Sequence, residues 1–226
     1  MKRVLGRRGF LVCVIGLDGS GKTTHTKHLA KFLSEKGYTA KYVWAASKPF
    51  LSYFLFGLTR LLGYWKTSRE DAFTDPLELA SKPVREKLGS LVRILFFIDF
   101  NLRTITKIRL PLLFGRIIVC DRYVYDMIMD LVSSDLYSFQ WYSLLIRTVP
   151  QPDIAFFLDA DAKVICSRRN NFSIDTMRRK RKVYSRFAQI FGFHIFDTSN
   201  SFIENQNRIR EETAYVLETK SKRLPR

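Results

Sequence analysis

Gly16-Leu17-Asp18-Gly19-Ser20-Gly21-Lys22-Thr23 decides how this 226-residue chain folds, because the sequence changes its hydrophobic period across it. Before it, Phe10–Ile15 (FLVCVI) is a short continuous apolar run, as a strand buried on both faces requires. After it, apolar residues return with helical spacing at Leu29, Phe32 and Leu33 within Lys22–Lys36, and Gly37 supplies a stop. A strand, a glycine-rich turn and a helix opening on Lys-Thr form the pattern of a phosphate-binding loop. Its glycines let backbone N–H groups close on phosphate oxygens, and the helix N-terminus adds positive potential. Gly16, Asp18, Gly19, Ser20, Gly21, Lys22, Thr23 and Thr24 are therefore the candidate nucleotide contacts. Lys22 would reach the β- and γ-phosphates, and Thr23 would help hold Mg²⁺.

Working outward, Ala40–Trp44 reads as a second strand and Arg116–Cys120 as a third that runs into Asp121. Pro152 precedes a fourth strand, Ile154–Leu158, and Phe193–Phe196 is the fifth. Between them fall a long helix over Leu88–Arg109 with Pro111 after its end, and a mostly helical stretch to Pro150. A helix over Ala162–Arg169, a basic helix to Phe191 and a last one over Phe202–Leu217 complete the series. Strands alternating with helices predict a single α/β domain over residues 1–226, a five-stranded parallel sheet with helices on both faces. Asp121 then ends a strand beside the first one, where an acid binds Mg²⁺ through water or orients an acceptor. Arg122 follows it, able to grip a phosphate with two bonds, the plain alternative being a structural ion pair.

A net charge of +17 attracts polyanions: nucleotide phosphates, nucleic acid or an anionic membrane surface. The basic residues cluster at Lys2–Arg8, Arg168–Arg186 and Lys220–Arg226; residues 1–8 and 219–226 read as solvated tails. No opening segment has the build of a signal peptide, and the longest uncharged apolar stretch, Pro49–Thr59, is too short to span a bilayer. Cys13, Cys120 and Cys166 form no CxxC pair, which suits a reducing compartment, and a cytoplasmic location is expected. His25, His28 and His194 are not spaced with the cysteines as zinc ligands.

Gly16–Thr24 (GLDGSGKTT), Asp121-Arg122-Tyr123, Pro152–Asp159 followed by Arg168, and Asp197-Thr198-Ser199-Asn200 resemble, in that order, the thymidylate kinases. The resemblance covers most of the chain. It implies a P-loop NTPase fold with a mobile lid over residues 168–182, and transfer of the γ-phosphate of ATP to dTMP with Mg²⁺. By the same resemblance Asp18 sits by the acceptor sugar, Arg122 holds the acceptor phosphate, Tyr123 shapes the acceptor pocket, and Ser199 or Asn200 lies near adenine. The family also needs an arginine on the transferring phosphoryl group. This loop has Ser20 where some members place it, while the lid segment offers Arg168, Arg169, Arg178, Arg179 and Arg181. Arg168 and Arg181 match the family positions, nine residues beyond Asp159 and three before Tyr184. Dimers are common in the family, so a homodimer is implied as well.

Two positions depart from the family. An arginine expected after the second strand is replaced by Ala45-Ala46-Ser47-Lys48-Pro49, with Lys48 the only charge. The arginine that bonds the thymine edge falls on Asn101, although Phe97 fits the aromatic that stacks on the base and Arg103 stands nearby. Losing a base-reading partner weakens discrimination. A rival expectation is therefore a kinase of this fold acting on another nucleotide or on a membrane-associated phosphorylated acceptor. The apolar, aromatic stretch Phe50–Trp65 then reads as core, as acceptor pocket or as a surface for peripheral membrane contact. A second rival is a P-loop protein without kinase chemistry that binds nucleic acid or membrane. No RNA-recognition, zinc-finger or helix-turn-helix signature supports nucleic acid as the partner.

Overall fold

Every residue of the first strand, β1 (Phe10–Gly16), is buried, so it needs a neighbour on each edge and cover on each face. It pairs in parallel with β3 (Ile117–Asp121) on one side and β4 (Ile154–Asp159) on the other. Outside these lie β2 (Ala40–Trp44) and β5 (His194–Asp197), giving the order β2-β3-β1-β4-β5 with all strands parallel. Reversal of strand order beside β1 opens the crevice at the strand ends where ligands bind in such sheets. The expected α/β class and five parallel strands are observed; several strand ends lie one residue further on, where Asp121, Asp159 and Asp197 still pair with neighbours.

In this computed structural model residues 9–45, 94–95, 97–133, 139–168, 173–198 and 201–223 are described. Contacts divide the chain into two units, residues 1–46 with 105–226, and residues 47–104. In the first unit, Phe10, Val12 and Val14 of β1 pack with Leu29 and Leu33 of α1 (Lys22–Glu35) and with Ile209 and Leu217 of the last helix. Along β4, Phe156 joins that cluster while its neighbour Phe157 meets Tyr184, ring centroids 6.0 Å apart. The period-two alternation of a strand thus serves helices on both faces. Cys13 and Cys120 are in register on adjacent strands, free and buried, the role of small hydrophobes.

Helix ends follow from local chemistry. Gly37 takes φ 85° after α1, and the bonds Tyr38 N–H to Leu33 O (3.1 Å) and Gly37 N–H to Ser34 O (2.9 Å) close the carbonyl end. Pro111 behaves otherwise than expected. It does not stop a helix; it lies in the first turn of α2 (Leu110–Leu113), after a π-helical turn over Ile105–Arg109. A proline is tolerated there because first-turn N–H groups have no intrahelical acceptor. The remaining helices of this unit are α3 (Val124–Ser133), α4 (Phe139–Thr148), α5 (Ala162–Arg168), α6 (Ile174–Ile190) and α7 (Phe202–Arg223). The last runs beyond Leu217, and Lys220 on it bonds Gly9 O (3.2 Å) and pairs with Asp153, whose other oxygen accepts from Leu11 N–H (2.8 Å).

In the second unit, residues 94–95 and 97–104 are helical, with Asp99 and Phe100 buried. Lys48 and the stretch Phe50–Trp65 lie outside the described residues. Among the described residues no helix is long and apolar enough to cross a membrane.

Phe156 is fully buried at the centre of the sheet and meets Phe196 edge-on at 5.6 Å. Phe156→Ala is expected to cost about 3–5 kcal/mol, read from the urea midpoint. A shift worth under about 1 kcal/mol would show that this cluster does not hold the sheet.

Candidate active site

The site begins where β1 runs out of side chains. Gly16 has φ 151°, and a Cβ there would lie 2.6 Å from Leu158 O on β4 and 2.9 Å from Ser20 Oγ. Only glycine lets the chain turn out of the sheet so close to its neighbour. Ser20 N–H closes a turn onto Leu17 O (3.1 Å), and Gly21 (φ 92°) leads into α1. Lys22 begins that helix and its Nζ turns back to donate to Leu17 O at 2.6 Å, with Asp18 Oδ1 at 3.5 Å. Burial lowers its pKa and nearby Arg122 pushes the same way, while Asp126, Asp18 and Asp121 oppose them. The ammonium therefore sits where a polyphosphate would relieve a real desolvation cost.

Thr23 connects the loop to β3. Its hydroxyl donates to Asp121 Oδ2 at 2.6 Å, and the hydroxyl of Tyr42 on β2 donates to the same oxygen at 2.9 Å. The other oxygen, Oδ1, is buried without a hydrogen-bond partner, as is Ser20 Oγ. Orphaned buried oxygens cost roughly 1–3 kcal/mol each and mark places a ligand satisfies. A buried carboxylate oxygen beside a loop threonine suits Mg²⁺, a hard cation that takes few protein ligands and keeps water and phosphate oxygens. Among the described residues no three His, Cys, Asp or Glu side chains gather into a metal cage. Tyr42 titrates well above its ordinary range, through burial first and then the charge of Asp121, and stays a donor.

Arg122 follows Asp121 at φ 64°, the one described non-glycine residue in the left-handed region. That conformation costs roughly 1–2 kcal/mol and persists where surroundings over-determine it. Here they do: Arg122 N–H donates to Val14 O (3.0 Å), and Ala45 N–H to Asp121 O (3.0 Å). The turn swings the guanidinium onto Asp18 Oδ1 in the phosphate loop. Burial opposes its charge, but Asp18 and Asp126 more than offset this, so its pKa is held above the ordinary value.

Asp126 went unnoticed in the sequence and is the joint of the site. One oxygen accepts Gly16 N–H at 3.1 Å and the other Tyr123 N–H at 3.0 Å, from a fully buried position. It stands at the third position of α3, where an acid reaches back to the residue before the helix; that spacing was a usable signal. The second contact, across to β1, has no sequence signature.

The structure thus brings together Gly16, Asp18, Gly19, Ser20, Gly21, Lys22, Thr23, Asp121 and Arg122. Thr24, the third residue of α1, is exposed. Tyr123 is buried, its hydroxyl donating to Pro150 O at 2.7 Å. Arg168, ending α5, donates to Gly19 O at 2.9 Å and so touches the phosphate loop. Arg181 forms a fork on Asp159 (2.7 and 2.8 Å) and reaches Asp161 at 3.1 Å. Ser199, Asn200 and Arg169 lie outside the described residues. Phe97, Asn101 and Arg103 belong to the second unit, where Asn101 Nδ2 donates to Phe97 O at 2.9 Å.

The sequence and the fold both have known relatives. A probable thymidylate kinase of Pyrococcus abyssi is 29% identical over 193 residues, 81% of this chain and 85% of that one. One from Pyrococcus horikoshii is 27% identical over the same shares. Along most of its length the chain is similar to thymidylate kinases. In fold it matches the thymidylate kinase of Candida albicans, with TM-score 0.62 at 18% identity, covering 93% of this chain and 94% of that one. No protein-family model matches it. In this structure the glycine loop, Asp121 and Arg122 stand together.

Asp126→Asn keeps the shape but accepts only one of the two N–H groups. The expected result is a loss of roughly 10-fold or more in kcat/KM with an unchanged circular dichroism spectrum. An unaltered kcat/KM would remove Asp126 from this role.

Proposed function

We propose that the protein transfers the γ-phosphate of ATP, with Mg²⁺, to a nucleoside monophosphate, and that dTMP is its acceptor. The observation that carries this is the pairing of Arg122 with Asp18 above the Thr23–Asp121 bond, 2.6 Å long. It sets a fixed cation for an acceptor phosphate beside the residues that hold a donor phosphate. Proximity and charge are what in-line phosphoryl transfer needs; no covalent intermediate with the protein is called for.

In this reading Lys22 and the backbone of the loop hold the β- and γ-phosphates, and Arg122, oriented by Asp18, holds the acceptor phosphate. Mg²⁺, when bound, neutralises phosphate charge; Thr23 and Asp121 would hold it, with Tyr42 keeping the Asp121 carboxylate turned. The two lid arginines differ in what binds them. Among the described residues Arg168 has one bond to give up, to a P-loop carbonyl, whereas Arg181 has three charge-assisted ones to two carboxylates. Charge-assisted forks are the stronger attachment. Arg168 is therefore assigned to the transferring phosphoryl group, and Arg181 to holding α6 against the end of β4 and the start of α5.

Arg168→Ala should lower kcat by roughly 10³-fold, and Arg181→Ala by much less while lowering the melting temperature. The reverse ranking in single-turnover rates would exchange their roles.

The decisive assay is ADP release from Mg·ATP over dTMP, dUMP, dCMP, dGMP, UMP, CMP and no acceptor, with Lys22→Ala as control. Selective turnover of dTMP, abolished in Lys22→Ala, is expected. Turnover of a different monophosphate would replace the acceptor, and near-normal turnover in Lys22→Ala would defeat the kinase assignment.

A further inference from the structure

In a parallel sheet all strands start at one edge, opposite the loops that carry the chemistry. Four segments of the first unit meet at that edge. Gly9 N–H donates to Leu112 O (2.7 Å), Phe10 N–H to Arg116 O (3.2 Å) and Ile117 N–H to Thr39 O (2.9 Å), while Lys220 Nζ reaches Gly9 O (3.2 Å). At the turn into β3, Leu113 and Phe114 stand 66% and 77% exposed. Two neighbouring large apolar side chains so open to water, at a turn with room for polar residues, are not explained by the core. Lys36, Lys41, Arg116 and Lys222 are exposed on the segments that meet there. Of the acids nearby, Asp153 pairs with Lys220 and Glu35 lies 3.8 Å from Lys31, while Glu218 is exposed on the last helix and lowers the local positive charge by one.

We infer that this strand-start edge docks on an anionic lipid bilayer, Leu113 and Phe114 entering the headgroup layer while the lysines and arginines meet lipid phosphates. The two features suit a bilayer together. A short apolar insertion binds weakly alone and a basic patch is weak on neutral lipid, but the pair gives stable, reversible anchoring. Each basic side chain near an anionic leaflet contributes roughly five-fold. Single-stranded nucleic acid would ask for aromatic platforms along a groove, whereas this edge offers one aromatic beside an aliphatic side chain. A second copy would bring the same positive charge against itself. The active site stays clear, since β1 carries the chain over seven residues, about 20 Å, from this edge to the phosphate loop.

The test uses the full chain with phosphatidylcholine vesicles, with and without phosphatidylglycerol, read by co-sedimentation. Binding is expected only with phosphatidylglycerol, weakening as salt is raised. The double variant Leu113→Ser, Phe114→Ser should lose roughly 10-fold or more of that binding with unchanged ATP turnover and circular dichroism. Absence of binding to the mixed vesicles, or equal binding by the double variant, overturns the inference. So does preference for a single-stranded oligonucleotide in competition, or a drop in sedimentation mass in the variant, which would mark the patch as a contact between copies.

Discussion

One buried carboxylate holds the two halves of the phosphate chemistry together. Asp126 accepts a backbone N–H from the last residue of β1 and another from the turn after β3, so the glycine loop and the turn that carries Arg122 share an anchor. The arrangement depends on β1 and β3 being adjacent and in register, Val14 opposite Asp121. Any slip of that pair would move Asp121 away from Thr23 and Arg122 away from Asp18. Full burial of both strands forbids the slip, because a shift of one residue would exchange the side chains of their two faces.

The site stores cost as well as order. Lys22 is buried, Arg122 is left-handed, and Ser20 Oγ and Asp121 Oδ1 are buried without partners. Each feature is unfavourable taken alone, and all of them gather around the glycine loop. The core around β1 and β4 supplies the rigidity that tolerates this, as strain at functional sites requires. Arg168 and Arg181 are arranged in contrast: Arg168 bonds one carbonyl of the glycine loop, whereas Arg181 forks onto Asp159 and reaches Asp161.

Charge is divided by the fold. Acids that matter are turned inward onto backbone N–H groups, arginines or hydroxyls, whereas much of the surplus of lysine and arginine is solvent-facing. At the strand-start edge, exposed Lys36, Lys41, Arg116 and Lys222 lie on the segments that meet beside Leu113 and Phe114, at the opposite end of β1 from the phosphate loop, so an anchor and a catalytic face can coexist on one small sheet.

The sequence by itself determined the five strands, their parallel order of appearance, the phosphate loop and the Asp121-Arg122 pair, because these rest on local periodicity and on glycine geometry. Gly16 and Gly37 were legible for that reason; Pro111 was misread because a proline's effect depends on whether its missing N–H would have been bonded. What only the tertiary structure decided is which distant groups share an atom. Tyr42 and Thr23 meet on one oxygen of Asp121, Asp126 reaches Gly16 across two strands, and Arg181 closes on Asp159 and Asp161. None of these follows from spacing along the chain. A hydrogen bond is set within tenths of an ångström by strand register and helix packing, and those are fixed only when the whole core closes.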